Sequence, residues 1–300
     1  MKIILDIVYA VSLHYCGLIR VKNCLMSSVK DKSVTVDHEI SGAYKLGKAT
    51  IKKKSFVIAL LYLVAIAIAE LVTALVNPIS GIIIHIFLLI GLVLHASIVS
   101  RQVQRRLYLS LALAPLIRIL SLSMPLIKLP RIYWYAIIAV PLLMAVFAVI
   151  RMLNLRRREI GFTLHRLRLQ LLIGLTGIPF GIVEYYILKP DPLVESLTWQ
   201  SILLPAFILL IGTGLVEEVT FRGVIQTSAE ETLGRWGWIY VAGLFAIMHI
   251  GYLLLADIVF VLAVGLFFGW VVKETKSLLG VTLSHGVTNI VLYLIVPFLI

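Results

Sequence analysis

Cysteine and charge are both scarce in this 300-residue chain. It holds only two cysteines, and Asp, Glu, Lys and Arg together make up 14% of it. Cys16 and Cys24 cannot build a disulfide framework. Their C-x7-C spacing near one terminus reads as two free thiols rather than a metal or redox motif. Acids are the rarer charge, 15 against 27 Lys and Arg, which leaves a net charge of +12. So little charge, with 61% hydrophobic residues and a mean hydropathy of +1.04, excludes an ordinary soluble domain. Internal repeats and low-complexity tracts are also lacking.

Long apolar runs are what the chain has in abundance. About 18 consecutive apolar residues suffice to cross ~30 Å of hydrocarbon as a helix. A membrane β-barrel would show short alternating segments instead. The fold class is therefore all-α, a polytopic transmembrane bundle of 8–9 helices. Nine spans are expected, near 55–76, 78–100, 107–127, 132–150, 169–188, 201–220, 238–256, 257–273 and 278–300. The eighth is short, which suggests a tilt or a tight hairpin with the seventh. Residues 1–54 read as a polar cytoplasmic extension of low order. The opening "MKIILDIVYAVSLHYCGLIR" faintly resembles a signal sequence, but Asp6 interrupts it and no small-residue cleavage site follows. Residues 55–164 form an N-terminal group of spans and 165–300 a second.

The positive charge lies between spans. "KKK" precedes the first span and "RQVQRR" follows the second. Residues 151–168 hold Arg151, Arg156, Arg157, Arg158, Arg166 and Arg168, and "KETK" follows the eighth span. All fall on one side, the cytoplasmic one under the positive-inside rule. This is the pattern of an integral, multi-pass protein of the cell membrane, with membrane lipid as an expected partner and no nucleic acid. Residues 189–200 carry two acids and one lysine and fall on the other side. The loop "KLPR" at 128–131 dissents, with two cations on that second side.

Ionisable groups at membrane depth must face protein or a wet cavity. Glu70, His85, His95, Arg118 and Glu184 follow no common spacing and are expected to pair with one another. The later spans differ. "TGLVEEVTFRG" carries Glu217, Glu218 and Arg222, "FAIMHI" carries His249, and "LSHGVTNI" carries His285 and Asn289. On a helix Arg222 is i+4 from Glu218, so the two can pair. Glu217 points ~100° away and has no local cation, which leaves it available as a general base or acid. His285 and Asn289, again i and i+4, project from one face and can donate to one oxyanion. At ~1.5 Å per residue, Glu217 lies roughly 5–8 Å from the cytoplasmic end of its span. His285 lies roughly 10 Å in, and His249 and Asn289 roughly 16 Å in. All four are thus expected in the cytoplasmic half of the bilayer, an arrangement that suits an active site. The plainer alternative is a buried polar network that fixes helix packing.

Taken in order, EExxxR (Glu217, Glu218, Arg222), FxxxH (Phe245, His249) and HxxxN (His285, Asn289) resemble the CPBP family of CAAX proteases and bacteriocin-processing enzymes, also called Abi, with its Rce1-type prenyl proteases. The resemblance covers about 165–300. It implies a catalytic transmembrane domain there and an intramembrane endopeptidase acting on membrane-associated or lipidated peptides. By the same resemblance Glu217 and His249 would activate a water, His285 and Asn289 would stabilise the oxyanion, and Glu218 and Arg222 would support the site. The chain runs eleven residues past Asn289, so a further helix found in some relatives is expected to be absent. The family implies no cofactor. Glu217, His249 and His285 could instead form a two-His, one-carboxylate zinc site, although the HExxH motif is absent. A non-catalytic immunity or scaffold protein, or a transporter, would also carry intramembrane polar groups.

Overall fold

A computed structural model describes the backbone of residues 33–126 and 128–300, with side chains from residue 54 onward, residue 127 apart. The chain divides at Lys54, and Ser55–Ile300 forms the unit considered below. Most of the expected 1–54 extension, with both cysteines, lies outside the described residues. Over 33–54 the backbone is helical.

Among the described residues there is no strand, and eight helical segments are long and apolar enough to cross a membrane. Local sequence sets the boundaries. Helix α1 (Ser33–Leu75) gives way at "NP" to α2 (Pro78–Ile98). There the Asn77 side chain accepts from Ser80 N at 2.8 Å, and Pro78 sits where its missing N–H is not needed. A single residue, Ala112, separates α3 (Gln102–Leu111) from α4 (Leu113–Ser123). Pro115 leaves the Leu111 carbonyl without a helical donor at that break. Next come α5 (Arg131–Met152), α6 (Leu167–Leu175) and α7 (Gly177–Leu188). Helix α8 (Trp199–Leu209) is capped by Thr198, whose side chain accepts from Ser201 N.

Beyond α8 the chain stays helical but changes its winding. A π-helical stretch, Leu210–Leu215, leads into the one-turn α9 (Val216–Glu218). A second π stretch, Val219–Ile225, leads into α10 (Gln226–Leu233). The sixth span therefore does not end near residue 220 as expected but continues to Leu233. Gly234, at φ 67°, ends it, and α11 (Gly237–Ile247) folds back against α10. The close approach requires Gly237, where a Cβ would lie 2.5 Å from the Ala229 carbonyl carbon. Helices α11 and α12 (Leu255–Thr275) do form the expected hairpin, but α11 is the short member. Last come α13 (Leu279–Ile290) and a π stretch, Val291–Ile295. Large apolar side chains such as Phe87, Phe147, Leu171 and Leu203 are exposed, as lipid-facing positions should be. By contrast, α3–α4 and α13 are more than half buried and form the interior.

Contacts between loops group them by side. Arg106 pairs with Glu231 at 3.0 Å, Thr163 Oγ1 donates to the Lys276 carbonyl at 2.7 Å, and Thr227 Oγ1 donates to the Glu159 carbonyl at 2.9 Å. The loops at 101–106, 151–168 and 273–278 thus share one end of the bundle, as their charge predicts. The dissenting "KLPR" lies at the other end, where Arg131 faces Asp191 at 3.8 Å. An acid from the neighbouring loop therefore offsets one of its two cations. Of the early polar groups, Glu70 pairs with His85 at 3.2 Å and with Arg118 at 2.6 Å, and His95 bonds Tyr62 at 2.9 Å. Glu184 departs from this pattern and lines a cavity instead.

Candidate active site

The site depends on how closely α13 approaches the π-wound helix. A Cβ on Gly214 would lie 2.8 Å from the Thr282 carbonyl oxygen and 2.9 Å from Gly286 N. Only glycine permits that approach of backbone to backbone. It brings a buried ion pair and an imidazole into one hydrogen-bonded chain. Glu218 Oε1 accepts from Arg222 Nη1 at 2.8 Å and from His285 Nδ1 at 2.8 Å. Glu218 and Arg222 are fully buried there. The pair expected from i,i+4 spacing is present, but Glu218 does more than hold Arg222. A carboxylate can only accept, so Glu218 fixes Nδ1–H on His285 and leaves Nε2 facing the cavity side. Nε2 lies 3.9 Å from Glu217 Oε2. Glu217 itself is 30% exposed, has no closer ion-pair partner among the described residues, and lines the cavity.

His249 was expected inside a helix and instead lies in the turn that ends α11, with φ −95° and ψ 0°. That bridge conformation is common at active sites. Its Nδ1 donates to the Phe245 carbonyl at 2.9 Å, which leaves Nε2 as the free acceptor. The Phe245 ring carries the Arg222 guanidinium at 4.3 Å and packs edge-on to His285 at 6.0 Å. One phenylalanine therefore braces both motif histidines and the buried arginine. On α13, Asn289 Nδ2 donates to Thr213 Oγ1 at 2.8 Å, and that hydroxyl donates to the Leu209 carbonyl at 2.5 Å.

Glu217, His249, His285 and Asn289 all line one cavity of about 110 Å³. Thr213, Glu184, Tyr135, Tyr252 and Tyr293 line it too, and sequence reasoning assigned none of them to the site. Thr213 could have been found, since it is i−4 from Glu217. Nothing in the sequence marks the tyrosines. Tyr135 lies one turn into α5 and Glu184 one turn before the end of α7. Both are near the bundle end opposite the arginine-rich loops. The expected cytoplasmic-side depth assumed that the Glu217 helix ends near 220. The helix instead continues to Leu233, while His285, 3.9 Å from Glu217, is six residues into α13, which starts at the arginine-rich end. Glu217, His249 and His285 share this cavity, yet among the described residues no three His, Cys, Asp or Glu side chains are grouped as metal ligands would be.

Residues 198–291 match the family model described as type II CAAX prenyl endopeptidase Rce1-like. No curated protein and no solved structure matches the chain. The match spans about a third of the chain and is narrower than the 165–300 expected, but it contains every motif residue from Glu217 to Asn289. Residues 198–291 are thus similar to the Rce1-like family of type II CAAX prenyl endopeptidases, and they lie within a multi-pass membrane helix bundle.

Proposed function

We propose that this protein is an intramembrane endopeptidase that hydrolyses peptide bonds of membrane-associated or lipidated substrates. The observation that carries the reading is the convergence of Glu217, His249, His285 and Asn289 on one cavity of an Rce1-like domain. In the proposed reaction, a water held between Glu217 and His249 Nε2 attacks the peptide carbonyl carbon. Glu217 takes the water's proton, and the C–O bond forms as the carbonyl π electrons move to oxygen. The resulting oxyanion lies against His285 and Asn289. With Nδ1–H committed to Glu218, His285 can donate from Nε2 only as the imidazolium. Collapse of the intermediate breaks the C–N bond, and Glu217 passes the proton to the leaving amine. Electrostatic stabilisation of this kind is usually the largest single contribution to such catalysis. No metal is required in this scheme.

Under the positive-inside rule the arginine-rich loops face the cytoplasm. The reacting groups then lie in the cytoplasmic half of the bilayer, since His285 is six residues into a helix that starts at that end. The test uses purified protein in lipid vesicles and a peptide ending in a farnesylated Cys-aliphatic-aliphatic-X tetrapeptide. Mass spectrometry should show release of the C-terminal tripeptide by the wild type and none by His249→Ala. Equal cleavage by both proteins would sink the assignment.

A further inference from the structure

A second, larger cavity of about 640 Å³ lies at the arginine-rich end, away from the catalytic groups. Its volume is in the range of small-molecule sites. Phe147, Ile150, Leu215 and Leu279 supply apolar walls, and Arg151 and Arg157 are its only charged lining residues. Both guanidiniums are exposed, and among the described residues neither has a partner. Thr282 also lines the cavity. It is only 8% exposed, and its hydroxyl has no hydrogen-bond partner. A buried hydroxyl without a partner is costly unless something in the site satisfies it. The wall formed by 156–164 is fixed in place. Gly161, at φ 79°, accepts from Leu278 N at 2.9 Å, and Ser277 Oγ donates to the Thr163 carbonyl at 2.9 Å.

An apolar cleft, two cations unpaired among the described residues and one buried hydroxyl in the same lining match a particular ligand chemistry. We infer that this cavity binds an anionic phospholipid. An acyl chain lies along Phe147, Ile150 and Leu215, an ester carbonyl accepts from Thr282 Oγ1, and the phosphate sits on Arg151 and Arg157. Guanidinium is the side chain best suited to phosphate. The site is built from the backs of the two catalytic elements. Leu215 is two residues before Glu217, and Thr282 three before His285. The bound lipid therefore supports the helix pair whose close approach sets the His285–Glu218 bond. This inference does not depend on the proteolytic reading.

The test is a titration of detergent-purified protein with phosphatidylglycerol or phosphatidylcholine, followed by native mass spectrometry. One phosphatidylglycerol should bind per chain in preference to phosphatidylcholine. The double variant Arg151→Gln/Arg157→Gln should weaken that binding by about 30-fold, from the usual value of a basic residue near an anionic headgroup. Thr282→Val preserves size and should weaken it several-fold, which keeps the test open if the double variant folds poorly. Equal binding of the two lipids, or wild-type affinity in both variants, would overturn the inference. So would saturation by inorganic phosphate alone, or binding of a farnesylated peptide but not of phosphatidylglycerol.

Discussion

Two adjacent glutamates should respond very differently to the same substitution. Glu218 Oε1 holds two charge-assisted hydrogen bonds of 2.8 Å, to Arg222 and to His285, and both carboxylate and guanidinium are fully buried. Removing one partner of a buried ion pair costs about 3–5 kcal/mol, because the other charge is left uncompensated. The Arg222 contact to the Phe245 ring at 4.3 Å offsets only part of that. Glutamine keeps the shape and one acceptor, so Glu218→Gln belongs near ~3 kcal/mol, or roughly 6–12 °C of melting temperature at this size. Glu217 is 30% exposed, and its nearest ion-pair partner among the described residues is His285 Nε2 at 3.9 Å. Glu217→Gln should therefore stay within about 0.5 kcal/mol, a shift of roughly 2 °C or less. Tryptophan-fluorescence melting of the two purified variants in one detergent reads the difference. Similar shifts for both, or a larger one for Glu217→Gln, would refute the division of roles drawn from the geometry.

Glycine substitutions offer a matched pair. Gly214→Ala places a Cβ 2.8 Å from the Thr282 carbonyl oxygen and should force the catalytic helices apart, lowering both melting temperature and peptide cleavage. Gly243→Ala on α11 meets nothing within 4 Å and should stabilise by about 0.5–1 kcal/mol with cleavage unchanged. Thr213→Val removes the acceptor that orients Asn289, so kcat should fall by about tenfold, less than the ~10²–10³-fold typical of deleting an oxyanion donor. Cleavage in vesicles should persist undiminished in excess EDTA. Loss of activity that zinc restores would return the metal reading to Glu217, His249 and His285.

Most of the spans, and the gathering of the basic loops at one end, were legible because hydropathy and loop charge respond to the membrane, a constraint that acts on every residue. The i,i+4 pairing of Glu218 with Arg222 was legible for a similar reason, since it depends only on one helix. The second bond of Glu218, to His285, was not. It exists because Gly214 and Gly286 let two distant helices touch, and no local pattern encodes which helices meet. The π-helical stretches around Glu217 were also hidden, and the end of that span was misplaced. Those stretches wind the backbone apart from the 3.6-residue period on which the reading relied. His249 was placed inside a helix because "FAIMHI" is uniformly apolar around it, and the turn that ends α11 carries no Pro or Asn to announce it. Thr213 and the tyrosines around the cavity are ordinary residues made functional only by the packing that gathers them.

The central claim is that Glu217 activates the attacking water. The most direct measurement is the single-turnover rate at which purified protein in vesicles cleaves the farnesylated peptide, compared between wild type and Glu217→Gln at matched melting temperature. The account predicts a fall of about 10²–10⁴-fold, the usual contribution of a general base. A Glu217→Gln rate within a few-fold of wild type would contradict it.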